Sequence, residues 1–362
     1  MTEPPQDVGR WGTARPGRRD VLRGAAVVGA FLAVDLGALL YANKWIGPAR
    51  LTPRTFLDGF AKVFGRQPGF RKNHAKGVAV TGYFDSNGNG STLSKAAVFA
   101  TGRTPVIGRF SLAGGNPHAA DASSTARGLG LVFGFPGREQ WRMATLNLPV
   151  FLDNSPQGFY DRLIASAAVP GTGKPDPTAM ARFLAAHPET ARATAIVKQH
   201  PPTPGFADSV YSGLNAFYFV NESGARAPVR WSLSPLQQAL PPSSGPNALF
   251  DALVRQLRAG PLRWRFVLTV GAASDPTHDA TLPWPADRRN VDAGVLTLDS
   301  IKTDAPGNAR DINFDPLVLP AGIEPSDDPL LSARSAVYAA SYRRRAGETG
   351  SPPAVQVDKV EL

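Results

Sequence analysis

Short apolar runs broken by turn residues recur along most of the chain, and their number is what most narrows the fold. Lys76–Phe84 and Thr92–Ala100 flank the turn DSNGNGS, and Thr104–Gly114, Gly128–Phe135 and Trp141–Phe151 follow. A second hairpin joins Asn215–Asn221 to Ala227–Ser234 across ESGA, and Pro261–Ala273 and Gly294–Ile301 end the series. Strand-like runs punctuated by Gly, Asn and Ser predict β-structure, and about eight strands suit a closed antiparallel barrel. Helical spacing interrupts them. Pro53 to Gly65 reads as an amphipathic helix, Asp176 to Gln199 as a helical segment with an Asp-Pro start, and Asn247 to Gly260 as a helix with an Asn cap and a Gly stop. The expected fold is α+β, a barrel with flanking helices.

The rest of the composition excludes several chemistries. There are no cysteines, so disulfides, zinc-thiolate sites and thiol peroxidase chemistry are absent. The 5 histidines are scattered and none lies within helical reach of another, so no two-histidine metal motif exists. Redox chemistry would need a bound cofactor. The net charge is +10, but the basic residues are dispersed beyond the N-terminal arm, which favours anionic ligands over nucleic acid. GLGLVFG is a weak dinucleotide fingerprint inside a strand, and GTGKPDP lacks the frame of a phosphate loop.

The N-terminus reads as a membrane element. Arg15, Arg18, Arg19 and Arg23 precede an apolar run of 18 residues from Gly24 to Tyr41, interrupted by Asp35; about 20 residues cross a bilayer. GRRDVLRG resembles a twin-arginine export signal, with Val21 where Phe is more usual. The expected order is a cytoplasmic basic arm over 1–23, a transmembrane anchor or signal segment over 24–41, a linker over 42–52, a globular domain over 53–350 and a tail over 351–362. The globular part would lie on the exported side.

Near the C-terminus, ARSAVYAASYRRR sets Arg334, Tyr338 and Arg345 four and seven apart, along one side of a helix. A basic amphipathic helix of this kind is compatible with a solvated face over a packed Tyr body. A guanidinium beside a phenol also stabilises the phenolate, and tyrosinate is one of the few axial ligands of haem iron.

FRKNHAKG, GRFSLAG and RSAVYAASYRRR, in that order, resemble the catalase family of tyrosinate-ligated haem proteins. TARGLGLVFGF, LNLPVFLDNSPQGF, NAFYFVN and INFDPLVLPAGIEPSDDPLLSARSAVY fall where that family has its corresponding segments. The resemblance runs from Phe56 to Arg345 and is greatest to the small catalase-related peroxidases, which keep the barrel without an extra C-terminal domain.

The resemblance implies a haem b cofactor with Tyr338 as iron ligand, kept ionised by Arg334. It implies that Arg71, Arg109 and Arg345 pair with the haem propionates, that His74 is the distal histidine, and that Ser111 bonds its imidazole. Phe151 and Phe159 match aromatics of the distal pocket and haem face. Two departures stand out. Leu146 occupies the place of the family's distal asparagine, so that Asn147 would have to reach the pocket by a local shift to take part in catalysis. Asn73 stands where a valine narrows the peroxide channel, which implies a wider, more polar entrance.

The implied function is a peroxidase that reduces hydrogen peroxide or an organic hydroperoxide through an oxoferryl state and draws on an organic electron donor. A dismutating catalase and a hydroperoxide isomerase stay open within the fold, and a non-catalytic haem- or lipid-binding barrel outside it. The membrane is the expected partner of the N-terminal helix, no nucleic acid is expected, and homodimer formation is left open.

Overall fold

The computed structural model describes residues 51–134, 139–241 and 244–361. Most of the N-terminal reading, over 1–50, therefore lies outside the described residues. Among those described, no helix is long and apolar enough to cross a membrane.

Eight strands close into an antiparallel barrel, as expected. β1 (Gly77–Ser86), β2 (Gly102–Leu112), β3 (Arg127–Phe133) and β4 (Trp141–Leu146) form one meander. A second comprises β5 (Tyr211–Val220), β6 (Arg226–Pro235), β7 (Leu262–Val270) and β8 (Arg289–Thr303). The long β1–β8 ladder joins the meanders on one side. On the other, β4 meets β5 only through Leu146 and Ser212. The short β9 (Ile323–Pro325) pairs with the outer part of β5.

One strand of the sequence reading is corrected. Thr92–Ala100 does not pair with β1; it folds into single helical turns at Asn89–Thr92 and Ala97–Phe99. Its apolar residues Leu93, Val98 and Phe99 enter the barrel core. Ser94 Oγ donates to Gly322 O and Lys95 N to Val220 O, which ties the segment to β5 and the start of β9. The true partner of β1 is β2, fifteen residues further on.

Helices fill the connections. α1 (Pro53–Phe64) precedes the barrel, capped by Thr52, whose Oγ1 accepts from Thr55 N at 3.2 Å. Between β4 and β5 come α2 (Pro156–Ala165), α3 (Pro177–Ala186) and α4 (Pro188–Lys198). The last two were read as one segment. Pro188 splits them, because it has no N–H to donate and disfavours helical backbone at His187 before it. α5 (Ala248–Ala259) precedes β7, and α6 (Pro329–Ala346) follows β9. Asn247 flanks α5 as expected but makes no side-chain cap; Asp121 Oδ2 accepts from Leu249 N and Phe250 N instead.

Strand alternation decides where a site can form. Inward residues pack a dense aromatic core in which Trp141 lies 5.0 Å from Trp231 and 5.6 Å from Phe133, centroid to centroid. The opposite faces of β2, β3 and β4 present Arg109, Ser111, Gly128, Gly130, Ala144 and Leu146 outward. α1, α2 and α6 cover that outer face. Residues 351–361 return along the barrel, with Val355 and Val357 in the main core.

Candidate active site

Between the outer barrel face and its helices lies a cavity of about 400 Å³. That volume is in the range of about 300–1,000 Å³ usual for cofactor and ligand sites. Phe56, Phe60, Phe151 and Phe159 give it aromatic walls, with the Phe159 ring 6.4 Å from Phe151 and 6.1 Å from Phe56. Its polar lining includes His74, Ser111, Arg71, Arg109, Arg334, Tyr338 and Arg345. Of the candidate haem-site residues read from the sequence, only Asn147 is missing from it.

His74 is held on every side. Its φ of 57° is left-handed, the sole such value outside glycine among the described residues. Asn73 Oδ1 accepts from His74 N at 3.0 Å, and Arg109 Nη1 donates to His74 O at 2.8 Å. Nδ1 of the ring is 3.1 Å from Ser111 Oγ. Gly128 lies against the imidazole so closely that an added Cβ would sit 3.1 Å from Nδ1 and 2.9 Å from Ser111 Oγ. Gly130 of the same GLGLVFG motif lies likewise against the Phe314 ring, an added Cβ coming within 2.9 Å of it, whereas Gly134 is required by its φ of 93°. Burial, then the charges of Arg109, Arg71 and Arg334, lower the His74 pKa to about 3. The imidazole is neutral at physiological pH, with Nε2 unbonded among the described residues.

The arginines divide into two kinds. Arg109 is already paired: its Nε and Nη2 donate to Asp304 Oδ2 at 3.1 and 2.9 Å, and Nη2 also reaches Ala75 O. Arg71 Nη2 bonds the carbonyls of Ala309 and Ile312, while its Nε is buried with no partner among the described residues. Arg345 donates one bond, from Nη2 to Arg310 O. Burial, followed by repulsion from Arg109 and Arg345, pushes Arg71 well below the usual guanidinium range, and burial with Arg109 lowers Arg345. Two buried cations with spare donors suit a ligand carrying two carboxylates.

Tyr338 projects from α6 onto the outer barrel face, packed against Ala79, Val132, Ala309 and Phe314. The Arg334 guanidinium lies 6.0 Å from its ring centroid. Arg334 donates to Asn215 Oδ1 and to Ala144 O, and Asn215 Nδ2 donates to Asp328 Oδ2 at 2.7 Å. Asp328 also caps α6 through Leu330 N. A carboxylate and an amide therefore run in series to the guanidinium that lies near the tyrosine ring. The sequence reading missed Asn215, Asp328, Asp304 and Phe314. Only Asp328, an Asp before Pro at a helix start, carries a local signal.

Asn147 does not reach the cavity. Its Oδ1 accepts from Arg127 N at 2.7 Å and its Nδ2 donates to Thr125 O at 3.1 Å, so the carboxamide holds the start of β3. Alternation along β4 turns Leu146, its neighbour, to the cavity instead.

A family model described as Catalase matches residues 43–241, more than half of the chain. A "Catalase-related peroxidase" of Synechococcus elongatus is 38% identical over 87% of this chain and 96% of its own length. One of Mycolicibacterium paratuberculosis is 31% identical over 82% and 96%. Among solved structures, a fungal catalase superposes with a TM-score of 0.69 at 21% identity, covering 83% of this chain and 64% of its own.

Proposed function

The chain belongs to the catalase family and is an oxidoreductase acting on peroxide, and from that premise we propose that it is a haem peroxidase that reduces hydrogen peroxide or an organic hydroperoxide with electrons from an organic donor. The observation that carries this reading is a neutral, rigidly held imidazole sharing one cavity with a tyrosine and two arginines that have no directly bonded carboxylate among the described residues.

The lining fits a dicarboxylate porphyrin of the b type. Arg71, with its orphaned Nε, and Arg345 would hold the carboxylates, and Tyr338 would hold the iron. Bound there, haem iron would supply the electrons that cleave the O–O bond. His74 Nε2 takes the proton of the attacking hydroperoxide and returns it to the departing oxygen, which leaves as water or an alcohol. Ser111 Oγ fixes Nδ1 and so the orientation of Nε2. The organic donor gives two electrons and two protons per peroxide, which balances the reaction. Leu146, hydrocarbon where the family has an amide, disfavours a second peroxide as that donor.

The N-terminal arm extends the reading: Arg18 and Arg19 with the apolar run 24–41 would export the folded domain and tether it to the membrane. Mass spectrometry of the membrane fraction, showing a mature chain that retains 24–41, is the result expected; a soluble chain lacking it would remove the tether.

The test of function is the absorption spectrum of the purified protein before and after peroxide, with and without an oxidisable phenol. Haem uptake, with peroxide consumed only when the phenol is present, is expected. His74→Ala should retain haem and lose about 10²–10⁴-fold in peroxide turnover. A chain that takes up no haem, or a variant with normal turnover, overturns the proposal.

A further inference from the structure

The peroxide side of the cavity lacks a donor on β4. Leu146 faces it with hydrocarbon, and both polar ends of Asn147 are consumed by Arg127 N and Thr125 O. His74, being neutral, offers an acceptor to an incoming peroxide. As its proton leaves, the peroxide oxygen becomes negative in a site walled by phenylalanines. A fixed donor at that point stabilises the developing charge far more than it would in water.

Asn73 also lines the cavity, next in sequence to His74. Its Oδ1 accepts two backbone bonds, from His74 N at 3.0 Å and from Gly114 N at 2.9 Å. Backbone N–H groups only donate, so the atom they meet is oxygen and the orientation of the carboxamide is fixed. The amide nitrogen is the end that remains, and among the described residues its two N–H groups have no partner. The clamp sits beside the left-handed backbone of His74, where strain persists because its surroundings enforce it. One residue thus both sets the histidine and carries a spare donor.

We propose that Asn73 is a catalytic residue: its Nδ2 donates to the peroxide oxygen that His74 deprotonates, supplying from the β1 side the amide that β4 lacks. This rests on the peroxidase reading above. A purely structural Asn73 would need only its oxygen, and that difference makes the two roles separable.

Asn73→Asp keeps the accepting oxygen and deletes the donor. Asn73→Ser keeps a short, uncharged backbone cap and also removes the amide. The double variant N73D/L146N returns an amide from β4. Two readouts apply to the haem-loaded proteins: the rate of the first reaction with hydrogen peroxide, and the C–O stretching frequency of the ferrous carbon monoxide complex, which falls when a donor meets the ligand. N73D and N73S are expected to react about 10²-fold more slowly and to show a raised stretch. N73D/L146N should recover at least about tenfold of the rate and lower the stretch again. Wild-type rates and stretch in both single variants overturn the proposal, as does a slow N73D/L146N whose stretch has returned to the wild-type value. Haem uptake with a silent N73D removes this inference alone; a wild-type chain that takes up no haem removes the peroxidase reading with it.

Discussion

At the scale of residues, His74 shows how position alone can set a protonation state. Its pKa of about 3 lies below the ordinary value of 6.5, first through burial and then through Arg109, Arg71 and Arg334. Between those two values the unfolded chain binds a proton that the folded chain refuses. Stability of the apoprotein therefore falls as pH falls from about 6.5 toward 3, by up to about 1.4 kcal/mol per pH unit from this group. Urea unfolding at pH 7, 5.5 and 4.5 measures it. His74→Phe should flatten the slope, and an unchanged slope would mean that His74 titrates normally. The identity of His74, Ser111 and the three arginines was legible in the sequence through local motifs. Their states were not, because these depend on neighbours from four different parts of the chain. Asp304 is the plainest case: it lies 195 residues from Arg109, and nothing beside it in the sequence signals that pairing.

At the scale of elements, the strands and caps follow local rules, and the joints between them do not. β5 to β8 could be read from turn chemistry and alternation. Thr92–Ala100 could not, because its apolar residues are satisfied by plugging the barrel, its Lys95 N–H by Val220 O and its Ser94 hydroxyl by Gly322 O. Likewise Asn215 reaches Arg334 from the irregular stretch of β5 between Gly213 and Phe217, where the register shifts. The start of α5 is a joint of the same kind, since Asp121 caps it from the β2–β3 connection. Asp121 Oδ1 lies 2.6 Å from Lys76 Nζ, with both side chains at most 4% exposed. Lys76 Nζ also donates to Ala119 O and Asn247 Oδ1. Asp121→Ala removes the cap and leaves a buried ammonium without its counter-charge, which costs about 3–5 kcal/mol. Asp121→Asn, which preserves the cap acceptor, should recover part of that. Equal losses in the two variants, measured by urea denaturation, would show that the cap contributes nothing beyond the charge.

At the scale of the whole molecule, the fold gathers Arg71, from the approach to β1, Arg109, from β2, and Arg345, from the end of α6, at one cavity, and among the described residues only Arg109 of the three has a directly bonded carboxylate. Guanidiniums crowded in low dielectric repel one another, which is why burial and each other's charge lower Arg71 and Arg345. The apoprotein carries that repulsion as a cost, which two negative charges bound at the cavity would offset. Leaving a buried, hydrogen-bonding charge without its partner typically costs about 2–5 kcal/mol. A porphyrin with free carboxylates should therefore bind on the order of 10²-fold more tightly than its dimethyl ester, and should raise the unfolding temperature where the ester raises it little. Arg71→Met should erase part of the difference, since Nε and its charge go while the bulk of the side chain remains. If ester and acid bind equally well, Arg71 and Arg345 serve the fold alone: their backbone bonds to residues 309–312 would then be their whole purpose, and the +10 net charge would have no counterpart in the site.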